Sequence, residues 1–174
     1  MELEILYALQ SLHTPVLDKF MVFITTLSDH GMIWILLAAV LICLKKTRKL
    51  GIAMLLSLAL GFLIGNVGLK NLIARPRPCW LDPSVPLLIP VPGDFSFPSG
   101  HSLVSFEGAV SIWLVNRKLG SLALLLAVAT ACSRLYLFVH FPTDVLAGAI
   151  IGAAIAWLVF SIQMCYTSNV DKNR

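Results

Sequence analysis

Long apolar runs separated by short polar segments make up most of this chain. A helix that crosses a bilayer needs about 20 mostly apolar residues, and three runs reach that length: residues 50–69, 119–139 and 145–165. Two shorter runs, residues 31–44 and 102–116, approach it once their flanks are included. The pattern therefore predicts a spanning helix in each of these five runs.

The first segment, about residues 4–28, has the weakest apolar pattern, because Pro15, Asp18 and Lys19 interrupt it. Proline inside a helix kinks or breaks it. The segment is therefore expected to form either a kinked span or an interfacial helix that leads into a shorter one. Counting it, we predict an all-α integral membrane protein with about six transmembrane helices in one bundle, and a single domain over residues 1–174.

The composition supports a membrane protein. Hydrophobic residues make up 58% of the chain and charged residues 13%, whereas soluble domains carry about 25% charged residues. The net charge of +4 does not cluster on one soluble face, so nucleic acid is not an expected partner. The four cysteines show no CxxC spacing, which argues against a zinc site or a disulfide framework.

Basic residues predict the orientation in the membrane. They cluster in two loops and the C-terminal tail, as Lys45, Lys46, Arg48, Lys49, Arg117, Lys118, Lys172 and Arg174. Such loops face the cytoplasm, and with six spans both termini would be cytoplasmic as well. The first four residues lack the basic segment of a removable signal peptide, so we expect the N-terminus to be retained.

Four other basic residues fall at the outer ends of the predicted spans and break this rule together: Lys70, Arg75, Arg77 and Arg134. Three sequence patches meet at that level: KNLIARPRP (70–78), PSGH (98–101) and SRLYLFVHFPTD (133–144). The loop between the first two, residues 76–98, carries seven of the nine prolines and is predicted to be an irregular outer loop over the site. The convergence predicts one functional site at the outer face.

The residue types in these patches indicate attack on phosphorus. Lys70, Arg77 and Arg134 can clamp phosphate oxygens and stabilise the charge that builds on them. Ser99 and Gly100 lie where a helix starts, so backbone N–H groups there can point at an anion. No metal and no cofactor is expected, because positive side chains supply the charge and the acidic clusters of a magnesium site are absent.

The two histidines would act in opposite protonation states. Asp144 follows His140 by four residues, so its carboxylate could bond one ring nitrogen and leave the other free to attack. His101 would be protonated and would donate to the leaving group. Glu107, about two turns into the fourth predicted span, is expected to have a structural or supporting role.

Three motifs resemble the signature motifs of the type 2 phosphatidic acid phosphatase superfamily: Lys70-x6-Arg77-Pro78, Pro98-Ser99-Gly100-His101 and Ser133-Arg134-x5-His140-x3-Asp144. Every signature position is filled. The resemblance implies a six-helix membrane phosphatase in which His140 forms a phosphohistidine, Asp144 supports it and His101 protonates the leaving group. It also implies that the phosphoryl group is bound by Lys70, Arg77, Ser99, Gly100 and Arg134.

By the same resemblance, the expected partner is a lipid phosphate within the membrane. We favour undecaprenyl diphosphate, on chain size and orientation, over a glycerolipid phosphate such as phosphatidylglycerophosphate or phosphatidate. Two classes of function remain as alternatives. One is a serine hydrolase that uses Ser99, and the other is a non-catalytic binder or transporter of anionic lipids.

Overall fold

The computed structural model describes the backbone of residues 1–172 and the side chains of residues 1–165. Within that part every regular element is helical, which confirms the predicted all-α fold. The helices are α1 (Glu2–Gln10), α2 (Pro15–Leu27), α3 (Met32–Cys43), α4 (Arg48–Gly61), α5 (Lys70–Ile73), α6 (Pro78–Leu81), α7 (Gly100–Val115), α8 (Arg117–Tyr136) and α9 (Pro142–Lys172). A π-helical segment, Phe62–Leu69, joins α4 to α5. The side chains of Lys172 and Arg174, the predicted basic tail, lie outside the described part.

Helix α7 lies at the centre of the bundle and packs against both α8 and α9. Glycines on α9 permit the close approach. A Cβ atom at Gly148 would lie 2.5 Å from the carbonyl oxygen of Ser99, and one at Gly152 would lie 2.3 Å from that of Leu103. These contacts hold the start of α9 beside the start of α7.

Gly148→Ala should therefore destabilise the protein. The added methyl group would meet the backbone oxygen of Ser99 at 2.5 Å, and overpacking of this kind costs about 1–3 kcal/mol. We expect a lower midpoint of thermal unfolding in detergent. Gly93→Ala is the control, because nothing lies within 4 Å of the position of its Cβ atom. Equal midpoints for the two variants would contradict the predicted close packing.

Residues 15–43 cross the bundle in one bent pass. Near its start, Asp18 accepts a hydrogen bond from the last residue of α8. At the bend, Asp29 contacts the first turn of α7, and Trp34 then packs on Gly108, two turns further along. The axes of α2 and α3 differ by 42°. The two helices therefore continue in the same general direction instead of forming a hairpin.

This path brings the start of the chain to the end of the bundle that holds the motif residues. Glu2 lies at the end of the bundle that holds the motif residues, where it accepts a hydrogen bond from the Thr143 amide at 3.1 Å and pairs with Arg75 at 2.6 Å. The described part of α9 reaches the opposite end, where Gln163 donates to the carbonyl oxygen of Lys49 at 2.9 Å. Within the described part of the chain, Glu2 and Gln163 therefore lie at opposite ends of the bundle, because α2 and α3 share one pass.

The membrane fold confirms the prediction, although fewer than six helices are long and apolar enough to cross a bilayer alone in the described part. In the described part, three helical stretches are long and apolar enough to cross a bilayer alone: Arg48–Leu81, Arg117–Tyr136 and Pro142–Cys165. The bent pair of α2 and α3 qualifies as a fourth. Helix α7 has 16 residues and follows α8 and α9 from one end of the bundle to the other. The weak first segment thus supplies α1 and half of the bent pass.

Helix α1 covers the segment that carries His140. Leu6 of α1 is fully buried in a cluster with the side chains of residues 136–139 and Phe141. In this segment Phe138 has a φ angle of 58°, a left-handed conformation that a bulky residue keeps only when its surroundings hold it. The packing of α1 therefore stabilises the turn from which His140 enters the interior.

Candidate active site

One cavity of about 570 Å³ brings most of the predicted site residues together. Six of the eight line it: Lys70, Arg77, Gly100, His101, Arg134 and His140. Ser99 and Asp144 are fully buried behind this lining. Among the described residues, no three His, Cys, Asp or Glu side chains are grouped so that they could hold a metal ion.

The cavity continues from this polar end into the apolar part of the bundle. Its deeper walls come from α3, α4, the π-helical segment and α7, and include Ile35, Leu55, Leu58, Phe62 and Val104. Glu107 also lines it; its side chain is buried, and neither carboxyl oxygen has a hydrogen-bond partner in the described structure. Such a cavity suits a molecule with an anionic head and an apolar chain.

The Arg77 guanidinium determines which nitrogen of His140 carries the proton. Its Nη1 lies 3.0 Å from His140 Nε2 and donates to the carbonyl oxygen of Val139 at 2.8 Å. A guanidinium can only donate, so Nε2 accepts and the ring hydrogen is on Nδ1. Burial lowers the pKa of His140 well below its usual value, and the charges of Arg77 and Arg134 lower it further. His140 is therefore a neutral ring with a lone pair on Nε2.

Ser96 links His140 to Asp144. The distance from His140 Nδ1 to Asp144 Oδ2 is 3.7 Å, too long for the direct hydrogen bond that the sequence predicted. The Ser96 hydroxyl donates to Asp144 Oδ2 at 2.5 Å and lies 3.4 Å from His140 Nδ1. With the hydrogen on Nδ1, the ring points its N–H at Ser96, which in turn points its O–H at Asp144.

Arg75 holds the other side of Asp144. Its Nη1 donates to Asp144 Oδ1 at 2.7 Å, and its Nη2 contacts Glu2 of α1 at 2.6 Å. The Phe141 amide also donates to Asp144 Oδ2 at 2.9 Å. Arg75, whose role the sequence did not define, therefore ties Asp144 to the N-terminal helix rather than lining the cavity.

The carboxylate of Asp94 lies between two of the predicted phosphate-binding cations. Asp94 Oδ2 accepts a hydrogen bond from Lys70 Nζ, and Oδ1 accepts one from Arg77 Nη2 at 2.6 Å. Burial alone would raise the pKa of Asp94, but the hydrogen bond from Lys70 and the charges of Arg77 and Lys70 outweigh it and lower the pKa to about 2. An anion from the 76–98 loop thus occupies the place where the sequence predicted a phosphate group.

Arg134 and His101 complete the polar end. The Arg134 side chain is 4% exposed, donates to Thr25 Oγ1 at 2.5 Å, and has no partner for Nε in the described structure. A buried guanidinium with a free donor is costly unless an anion binds there. His101 Nε2 lies 2.9 Å from Asp29 Oδ1. Both side chains line the cavity.

Ser99 forms the cap of α7 and does not line the cavity. Its hydroxyl accepts hydrogen bonds from the amide and the hydroxyl of Ser102, at 3.4 and 3.0 Å. Its own amide donates to the carbonyl oxygen of Asp144 at 3.0 Å. Both polar groups of Ser99 are therefore used within the protein, and the hydroxyl is buried. Gly100 does line the cavity, and a Cβ atom at its position would lie 3.1 Å from Asn66 Oδ1.

Three residues of this arrangement were missed by sequence reasoning: Asp29, Asp94 and Ser96. Arg75 was identified among the outer basic residues, but without its role. All three missed residues lie in turns and loops, where no periodic pattern indicates which way a side chain points. Their partners are 17 to 72 residues away in the chain.

Known proteins share both the sequence and the fold. The family model described as "PAP2 superfamily" matches residues 46–166, which include all three motifs. Undecaprenyl-diphosphatase of Sulfolobus acidocaldarius is 38% identical over 160 residues, which are 90% of this chain and 74% of that protein. Undecaprenyl-diphosphatase BcrC of Bacillus subtilis is 33% identical over 177 residues, which are 98% of this chain and 89% of that protein.

Solved structures give the same result. The PAP2 type phosphatidylglycerolphosphate phosphatase of Bacillus subtilis superposes with a TM-score of 0.78 at 30% identity, over 92% of this chain and 83% of that one. Its helices thus follow the same course through nearly all of the bundle described above. The family model matches most of this chain, and the two relatives match nearly all of it. The chain therefore belongs to the PAP2 superfamily.

Proposed function

We propose that this PAP2 lipid phosphatase hydrolyses undecaprenyl diphosphate through a phosphohistidine intermediate on His140. The observation that carries the proposal is the 3.0 Å contact between Arg77 Nη1 and His140 Nε2 at the polar end of the cavity. This contact supports the proposal, because a ring nitrogen that accepts from Arg77 keeps a lone pair beside cations that could hold a phosphoryl group. The choice of undecaprenyl diphosphate is supported by the names of the two relatives, both undecaprenyl-diphosphatases.

In the proposed first step, the Nε2 lone pair of His140 attacks the terminal phosphorus while Lys70, Arg77 and Arg134 bind its oxygens. An N–P bond forms and the P–O bond to the rest of the lipid breaks. The developing positive charge on the ring is stabilised through Nδ1–H, Ser96 and Asp144. His101 gives a proton to the leaving oxygen. In the second step a water molecule attacks phosphorus, the N–P bond breaks, and the water proton returns to His101.

The site is proposed to face outward, with the deep part of the cavity holding the lipid chain. Lys45, Lys46 and Lys49 lie in or beside the loop at the opposite end of the bundle, where Gln163 contacts Lys49. Since Lys- and Arg-rich loops face the cytoplasm, the catalytic end would face the exterior. The N-terminal helix α1 would then lie on the outer surface beside the site.

A glycerolipid phosphate is the second candidate substrate, and Glu107 favours it. This carboxyl group lies in the apolar wall without a partner in the described structure. The hydrocarbon chain of undecaprenol offers it no hydrogen bond, whereas the ester or hydroxyl groups of phosphatidate or phosphatidylglycerophosphate would. An unpartnered buried carboxyl is unfavourable, so a ligand that satisfies it gains affinity.

Phosphate release from a panel of lipids, with purified protein in detergent and EDTA present, tests the proposal. Undecaprenyl diphosphate, phosphatidate and phosphatidylglycerophosphate should be compared by kcat/KM. Highest activity on undecaprenyl diphosphate is expected. Preference for a glycerolipid would favour the second candidate, and binding without phosphate release would favour the non-catalytic lipid binder. Loss of activity with EDTA would contradict the metal-independent mechanism.

Asp94→Asn should strengthen inhibition by inorganic phosphate and orthovanadate. With its pKa near 2, Asp94 is ionised at any working pH and competes with these anions for Lys70 and Arg77. The amide keeps the shape but removes the charge, and we expect inhibition constants about tenfold lower. Asp82→Asn is the matched control, because Asp82 lies in the same loop and bonds Ser84 and Tyr7 instead. Unchanged inhibition constants for Asp94→Asn would show that the carboxylate does not occupy the anion site.

A further inference from the structure

We propose that Asp29, at the bend between α2 and α3, is a positioning residue that orients His101 as the general acid. The inference rests on the proposed function, because it assigns His101 the transfer of a proton to the leaving group. It gives a role to a residue that lies 72 positions before His101 in the chain and outside all three motifs.

The contact determines how the ring can work. Asp29 Oδ1 lies 2.9 Å from His101 Nε2. A carboxylate only accepts hydrogen bonds, so Nε2 carries a hydrogen and points at Asp29. Nδ1 has no hydrogen-bond partner among the described protein groups, which leaves it for the substrate. A protonated ring held in this way presents one N–H to Asp29 and the other to the leaving oxygen.

The fold holds Asp29 at this position from two sides. After it, His30 and Gly31 have φ angles of 52° and 70°, and Gly31 packs so closely on α7 that a Cβ atom there would lie 2.8 Å from Val104 Cγ2. Before it, the hydroxyl of Ser28 is hydrogen-bonded to Ser105 of α7 and to Thr130 of α8. The bend therefore has little freedom to carry Asp29 away from His101.

The Asp29 carboxylate also affects how readily the His101 ring is protonated. Burial of the ring opposes its protonation, and so do the charges of Arg134 and Lys70, which line the same cavity. Among the described residues, Asp29 is the carboxylate that is hydrogen-bonded to the His101 ring. Its negative charge therefore favours the imidazolium form that a general acid needs. In the first step the proton on Nδ1 moves to the leaving oxygen as the P–O bond breaks.

The test compares leaving groups in the Asp29→Asn variant. A long-chain alkyl phosphate has a poor leaving group that needs a proton, whereas 4-nitrophenyl phosphate has a good one that does not. We expect kcat to fall about 30-fold to 100-fold on the alkyl phosphate and less than about threefold on the aryl phosphate. Turnover of the aryl phosphate also shows that the variant is folded. Asp29→Glu should recover part of the loss.

Two controls make the result specific. Asp18→Asn removes another carboxylate of the same bent pass, one that bonds Tyr136 at the end of α8, and should affect both substrates equally and slightly. On a His101→Asn background, Asp29→Asn should cause no additional loss. Equal losses on both substrates, complete inactivity included, or losses that add to those of His101→Asn would overturn the role of Asp29. Failure of the unmodified protein to release phosphate would instead overturn the proposed function.

Discussion

His140→Ala should lower the rate of phosphate release by at least about a thousandfold. The variant loses the proposed nucleophile: Nε2 lies 3.0 Å from Arg77 Nη1, and the ring is 1% exposed. Arg77, Lys70 and Arg134 remain in place, so the lipid should still bind. The loss is therefore expected in kcat, with a smaller change in KM.

Labelling with phosphorus-32 in the terminal phosphate of the substrate tests the intermediate directly. In short incubations the unmodified protein should acquire a label that is released by acid and survives alkali, as a phosphorus–nitrogen bond does. His140→Ala should acquire none. His13→Ala is the control, because His13 stacks on the ring of Tyr136 at 4.2 Å, away from the cavity. A label that persists in His140→Ala, or one that survives acid as a serine ester would, contradicts the mechanism.

The sequence predicted the convergence of charges well, because each motif is fixed to a helix end. Lys70 begins α5, Gly100 begins α7, and Arg134 lies in the last turn of α8. In an antiparallel bundle such ends meet at one level, so their side chains meet as well. The apolar runs also placed the helices themselves, since a bilayer requires long apolar segments.

The relation between His140 and Asp144 was predicted less accurately, for a local reason. Their spacing of four residues would put them on one face only if both belonged to a helix. Helix α9 begins at Pro142, so His140 precedes it and lies in the turn shaped by Phe138. The resulting gap of 3.7 Å is occupied by Ser96, which comes from a loop with no periodic pattern.

The path of residues 15–43 could not be derived from their composition. Asp29, His30 and Gly31 are typical of a tight turn that reverses the chain. In the structure, positive φ angles at His30 and Gly31 produce a bend of 42° instead. The difference moves the N-terminus to the catalytic end, and it also brings Asp29 to His101. Contacts with α7 and α8 determine whether the chain reverses or bends at residues 29–31. The local sequence contains no pattern that indicates those contacts.

Arg77→Lys should lower kcat/KM by about 100-fold to 1000-fold, although the charge is kept. Arg77 uses three nitrogens: Nε bonds the Asp94 carbonyl oxygen at 2.6 Å, Nη2 the Asp94 carboxylate, and Nη1 both Val139 and His140. The single ammonium group of a lysine cannot donate to all the acceptors that surround the planar Arg77 guanidinium. The Val139 carbonyl would lose a buried hydrogen bond, and His140 would lose the contact that keeps Nε2 unprotonated.

Whether Arg77→Lys changes kcat or KM distinguishes two possible roles of Arg77. If it both binds the phosphoryl group and orients the nucleophile, Arg77→Lys should lower kcat and slow the labelling of His140 in a single turnover. If it only binds the anion, KM should rise while kcat stays unchanged. Arg117→Lys is the matched control, since Arg117 lies over the Trp113 ring at the opposite end of the bundle. Because a lysine keeps the charge, normal labelling by Arg77→Lys would mean that charge alone prepares His140 and that the geometry of the guanidinium is dispensable.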